Sequence, residues 1–89
     1  MIILITINHE GVEYMDASRP LDALNDARNK RVIAELKNGR QIIGILKAFD
    51  IHINIVLHES EERAPNGEIT RKMGTVFIRG DTITVISPA

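Results

Sequence analysis

Cysteine and tryptophan are both missing from this chain of 89 residues. Without cysteine there is no disulfide scaffold, no thiol catalysis and no cysteine-ligated zinc. Aromatic residues make up only 3%, namely Tyr14, Phe49 and Phe77, too few for a sheet face that stacks a row of bases on rings. An excess of charge is lacking too: eleven Lys and Arg against twelve Asp and Glu leave a net charge of −1. That excludes a protein that coats nucleic acid by bulk electrostatics, so any such binding must rest on a few placed groups. No apolar run approaches the roughly 20 residues that cross a bilayer, so no membrane partner is expected. The apolar start Met1–Ile7 has no basic region and is soon followed by Glu10 and Glu13, which makes it a poor signal peptide and points to the cytoplasm. There is no glycine-rich phosphate loop and no serine in a nucleophile elbow. His9, His52 and His58, with Glu59, Glu61 and Glu62, show neither HxxxH nor HExxH spacing, so no metal and no cofactor is expected. The expectation is a binding protein, not an enzyme.

The composition that remains is that of a small globular domain, 44% hydrophobic and 26% charged. A single domain of this size buries little surface, which favours self-association. Pro20 and Asp22 suit the first turn of a helix, and Leu21 and Leu24 give it one short apolar stripe, so a helix is predicted over about 19–28. From Arg31 the period becomes two. Strands are predicted over about 31–37, 40–50, 53–62, 69–78 and 82–87, with hairpin turns at Asn38-Gly39 and Pro65-Asn66-Gly67. Gly44 in the second strand marks a bend or a close backbone approach. The predicted fold is all-β: one small helix and a strongly bent five-stranded antiparallel sheet, an open barrel. Residues 1–15 form an extension, and 16–89 form the domain.

The last two strands, Thr75-Val76-Phe77-Ile78 and Thr82-Ile83-Thr84-Val85-Ile86, carry none of the charges or prolines that blunt edges. Pairing one such edge with the opposite edge of another copy is a head-to-tail contact, which closes into a ring where the rotation allows.

Two clusters stand out as more than connections: Asp50-Ile51-His52-Ile53-Asn54 between two strands, and Arg79-Gly80-Asp81 between the last two. Taken alone, the first is a polar chain reversal and the second a hairpin turn with glycine at positive φ. Together they resemble a known pattern. The stretch from Arg31 to Leu57, with Gly39, Gly44, Asp50 and Asn54, is similar to the first motif of the Sm and Sm-like (LSm) proteins. Gly74-Thr-Val-Phe-Ile-Arg-Gly-Asp81 resembles the second, with Ile-Arg-Gly its hallmark, and Arg19-Pro20-Leu21-Asp22 resembles the family's helix. The bacterial branch carries a different second motif without Arg-Gly-Asp, so the similarity is to the Sm side, and the short single domain resembles the archaeal type. Ile53 stands where methionine is common, and Met1–Tyr14 has no counterpart in the pattern.

The resemblance implies a bent barrel assembled into a homo-oligomeric ring, heptamer favoured over hexamer, that binds U-rich single-stranded RNA at its inner rim. It implies a role in RNA processing, turnover or chaperoning. The residues fit this chemistry. His52 offers a ring and Arg79 a guanidinium plane between which a base can stack. Asn54 matches the N3–H and O4 of uracil, and the Gly80 and Asp81 N–H groups are placed to donate to O2. A rotated amide would accept cytosine instead, so a carboxylate must hold Asn54, either Asp50, which is favoured, or Asp81. A protein-interaction scaffold on the same fold is the alternative, though it would need none of His52, Asn54, Arg79 and Asp81. A metal-dependent hydrolase comes third. For Met1–Tyr14 two readings stand: an added strand or arm, or a natural start at Met15. The second is preferred, and removal of 1–14 is then expected to leave assembly and oligo-U binding intact.

Overall fold

The computed structural model describes Ile2–Ile3, as backbone, and residues 20–89. His9, Tyr14, Met15 and Arg19, on which some expectations fall, lie outside the described residues. In chain order the elements are β1 (Ile2–Ile3), α1 (Pro20–Asp26), β2 (Arg31–Leu36), β3 (Gln41–Phe49), β4 (Ile55–Arg63), β5 (Ile69–Ile78) and β6 (Ile83–Pro88). A single 3₁₀ turn over Gly80–Thr82 joins β5 to β6. The strands form one sheet in the order β1-β6-β2-β3-β4-β5. It is antiparallel throughout except where β1 runs parallel to β6. The five predicted strands and the helix are thus present, and β1 is a sixth, two-residue strand.

Helix α1 is too short to stand alone and owes its place to burial. Leu24 is wholly buried, and Ala23 and Ala27 lie with it against the sheet. The helical turns stop at Asn29, which adopts φ +67°, a left-handed end that asparagine tolerates. Its N–H donates to the Leu46 carbonyl at 2.7 Å. In β2, Val32 and Ala34 face the core and their neighbours do not, as strand alternation requires. The β2–β3 hairpin closes at Asn38-Gly39, where Asn38 Oδ1 accepts the Arg40 N–H at 3.0 Å.

Alternation fails in β3, where Ile42, Ile43 and Gly44 are all buried, because the sheet folds over on itself there. A Cβ on Gly44 would stand 2.9 Å from the His58 carbonyl oxygen and 3.0 Å from the Cβ atoms of Leu57 and Ser60. The strand therefore comes closer to β4 than any side chain allows. Opposite it, the pairing shifts by one residue between Ile43 and Ile45, and Glu59 takes up the extra residue at φ +50°, a bulge that bends its strand. The crease continues to β5, where buried Ser60 donates from Oγ to the Gly74 carbonyl at 2.6 Å. Bending lets α1 and strands β2–β6 supply one core that includes Leu24, Leu46, Ile55, Leu57, Ile83 and Ile86.

The two ends of the sheet differ from the expected pair of open edges. β5 has no outer neighbour among the described residues, but β6 does: Ile2 lies opposite Val85 and Ile3 opposite Ile86. No helix among the described residues is long and apolar enough to cross a membrane.

Candidate nucleic-acid interface

Asp50 leaves the end of β3 and organises the four residues that lead into β4. Its Oδ1 accepts the N–H of His52 at 2.8 Å and of Asn54 at 3.1 Å, the local side-chain-to-backbone bonding typical of aspartate in turns. The Asp50 N–H donates to the Asn54 carbonyl at 3.1 Å, and the Ile53 N–H donates to the Asp50 carbonyl at 3.0 Å. Ile53 completes the turn at φ +61° with its side chain only 4% exposed. A β-branched residue in the left-handed region is strained by about 1–3 kcal/mol. Burying its side chain, worth about 1.5–3 kcal/mol, holds it there. For this reason β4 begins at Ile55 rather than at the predicted 53.

Asn54 is the point where this turn meets the second cluster. Its Nδ2 donates to Asp50 Oδ2 at 2.9 Å, and its Oδ1 accepts the Gly80 N–H at 2.8 Å. The amide is therefore fixed from both sides. Flipping it would set a donor against the Gly80 N–H and an acceptor against a carboxylate. One Nδ2 hydrogen and one Oδ1 lone pair remain, side by side, for a ligand. Of the two carboxylates considered for this task, Asp50 makes the contact. Asp81 pairs instead with Arg79, Nη2 to Oδ2 at 3.1 Å.

Gly80 is not the positive-φ turn residue that the tripeptide resembles. It is there because the two loops touch through their backbones: a Cβ on Gly80 would overlap the His52 carbonyl oxygen and approach the Ile53 carbonyl carbon at 2.8 Å. Its N–H is committed to Asn54, so it is not the donor to uracil O2 that the sequence reading assigned. Of the two backbone donors named for that role, the Asp81 N–H remains. His52 and Arg79 sit on the two loops so joined, and both are exposed.

The Asp50 carboxyl is held below the ordinary aspartate range. The hydrogen bond from the Asn54 side chain is the main cause; desolvation opposes it, and the backbone N–H groups of Asn54 and His52 and the His52 charge each add a smaller lowering. An ionised Asp50 is what the Asn54 amide needs, since only the carboxylate form accepts from all three donors.

A cavity of about 330 Å³ opens beside the amide, walled by Phe49, Val56 and Phe77 and edged by Asp50, Asn54 and Arg79. It falls at the small end of the roughly 300–1,000 Å³ typical of small-ligand sites. The aromatic wall was not anticipated, although Phe49 directly precedes Asp50 and Phe77 lies two residues before Arg79. The Arg28 guanidinium lies 5.3 Å from the Phe49 ring centre, a cation–π contact that ties the turn after α1 to the end of β3. His58 and its neighbouring glutamates form no metal cluster; among the described residues no group of three His, Cys, Asp or Glu is placed to hold an ion.

The chain is similar to known proteins in sequence and in fold. The LSM domain family profile matches residues 22–88. A protein of Methanococcoides burtonii described as snRNP Sm-like is 52% identical over 71 residues, 80% of this chain and 97% of that one. The Pyrococcus abyssii Sm protein, solved in complex with a uridine heptamer, superposes with a TM-score of 0.76 at 39% identity, covering 80% of this chain and 99% of that one. The P. aerophilum SmAP1 heptamer gives a TM-score of 0.74 at 35% identity over 80% and 93%.

Proposed function

The chain belongs to the LSM domain family, and from that premise we propose that it forms a homo-oligomeric ring, a heptamer, that binds U-rich single-stranded RNA at its inner rim. The observation that carries the reading is the doubly fixed Asn54 amide, with Asp50 on its nitrogen and Gly80 on its oxygen. Uracil presents an N3–H donor beside an O4 acceptor, the complement of what Asn54 leaves free, and cytosine presents the reverse. His52 and Arg79 stack on the base, and the Asp81 N–H donates to O2. The uridine heptamer bound to the P. abyssii protein, 39% identical to this chain, supports the assignment of ligand.

Ring closure joins the outer edge of β5 in one subunit to the outer edge of β6 in the next. The heptamer of the P. aerophilum relative supports that stoichiometry. Repeating the pocket around a ring lets one RNA strand engage several sites, so modest affinities per base combine into tight binding. The protein acts in RNA processing or turnover or as an RNA chaperone, in the cytoplasm. It binds rather than catalyses.

Two measurements test this reading. Native mass spectrometry at micromolar concentration is expected to give a closed ring; a monomer alone overturns the assembly. Titration with oligo-U, oligo-C and oligo-A is expected to rank U first, and equal affinity for oligo-A removes the pocket and leaves the scaffold alternative.

A further inference from the structure

The β6 strand has two backbone edges. β2 fills one, from Val32 opposite Pro88 to Leu36 opposite Ile83. The other takes the chain's own N-terminal strand, with Ile2 opposite Val85 and Ile3 opposite Ile86. An edge presents a single row of N–H and C=O groups, so one partner at these residues excludes another. Yet this is the edge that ring closure requires. At the far end of the sheet, β5 offers ten residues with no outer neighbour among the described residues, and Phe77 near its end is 81% exposed.

We propose that Ile2–Ile3 is a displaceable cap on the assembly edge of β6, in competition with the β5 strand of a second copy. The inference rests on the ring reading above and on the reading of Met1–Tyr14 as an added strand rather than on a start at Met15. Two residues paired in parallel form a weaker joint than a long antiparallel strand, so the cap yields once a neighbour arrives. The cap is part of the same chain and competes at a fixed effective concentration, whereas the neighbour competes in proportion to protein concentration. Subunits are thus capped and monomeric when dilute, and they assemble above a threshold. A cap closed about nine-tenths of the time leaves a tenth of the edges competent, and each joint then forms with roughly tenfold lower apparent affinity. The cap also shields Val85 and Ile86 from the edge-to-edge aggregation that an open apolar strand invites.

The test is a dilution series by analytical ultracentrifugation on three proteins: the full chain, a chain starting at Met15, and the full chain with Ile2→Pro and Ile3→Pro, which removes both N–H donors of β1. The midpoint concentration for assembly is expected to fall roughly tenfold in both variants relative to the full chain. In the dilute monomer, amide exchange in the Val85–Ile86 segment is expected to speed up in the same two variants. Equal midpoints with unchanged exchange overturn the cap and leave the ring standing. A higher midpoint in the shortened chain also overturns it, because β1 would then build the assembly rather than block it. Three proteins that stay monomeric at every concentration overturn the ring reading, and the cap with it.

Discussion

Asp50 and Asn54 are joined by three hydrogen bonds: Oδ1 accepts the Asn54 N–H, Oδ2 accepts from Nδ2, and the Asp50 N–H donates to the Asn54 carbonyl. One residue thus sets both the backbone of the other and the direction its amide faces. In the proposed site Asp50 orients the amide and Asn54 contacts the base, which divides selectivity from affinity between them.

That division predicts different outcomes for two carboxylates. In Asp50→Ala the Gly80 N–H still holds Asn54 Oδ1, but the nitrogen is released. The preference for oligo-U over oligo-C is expected to fall roughly tenfold or more, the scale of one lost hydrogen bond to a charged group, about 1.5–3 kcal/mol, with a smaller loss of oligo-U affinity. Asp81→Ala keeps its backbone N–H and loses only an exposed ion pair, worth about 0–1 kcal/mol. It is expected to leave the preference unchanged. Competition titrations with the two homopolymers check both, and equal behaviour of the variants means Asp50 does not orient Asn54.

Asn54→Ala and Arg79→Ala remove groups assigned to the base itself. Each is expected to cost about 1–3 kcal/mol per bound base, and the losses multiply along a strand that spans several subunits. Arg79→Ala is expected to melt near the parent, since its side chain is exposed, whereas Asn54→Ala also leaves the buried Gly80 N–H without its partner and is expected to lose about 1–3 kcal/mol of stability. Fluorescence anisotropy with labelled oligo-U, set beside melting curves, separates lost binding from lost fold.

Much of this molecule is legible from residue order, and the exceptions have physical causes. The alternation of Val32 and Ala34 and the Asn38-Gly39 turn are local signals, and they place β2 and its hairpin directly. Gly44 announces a close approach, but Glu59, the residue that absorbs the bend, carries no mark, because a glutamate at positive φ is imposed by the partner strands. Ile53 is hidden for the same reason: its propensity is for strand, and burial in the core overrides it. Gly80 misleads in a different way, since its spacing reads as a turn while the constraint comes from His52, 28 positions earlier in the chain. The match of Ile2–Ile3 to β6 is a pairing of two residues with two others across most of the chain, which no local pattern encodes.

The Asp50 site also has a definite pH response. Its carboxyl sits below the ordinary value when folded, so its contribution to stability is present above the unfolded aspartate value of about 3.9 and is lost as pH falls through the lower, folded value. The Asn54 side-chain amide signals are therefore expected to hold constant from about pH 8 to pH 5 and to shift only below the usual aspartate range. An NMR titration following the Asp50 carboxyl carbon and the Asn54 amide gives the answer. A midpoint above the ordinary aspartate value contradicts the hydrogen-bonding account.

Gly80→Ala tests whether the two loops work as one unit. The added methyl must push the Arg79–Thr82 turn away from the His52 and Ile53 carbonyls, and the contact it disturbs is backbone, with no flexible side chain to give way. Overpacking of this kind costs about 1–3 kcal/mol of stability. The larger effect is expected on recognition, because the Gly80 N–H retreats from Asn54 Oδ1 while Arg79 and the Asp81 N–H move with the turn. Oligo-U affinity is therefore expected to fall at least as far as in Arg79→Ala, and the preference over oligo-C is expected to fall with it, a combination that loss of a single contact does not produce. Titrations of both homopolymers at a temperature well below the melting point make the comparison. Full affinity with full preference in Gly80→Ala means that the turn relaxes freely and that its contact with His52 is not what aligns the pocket.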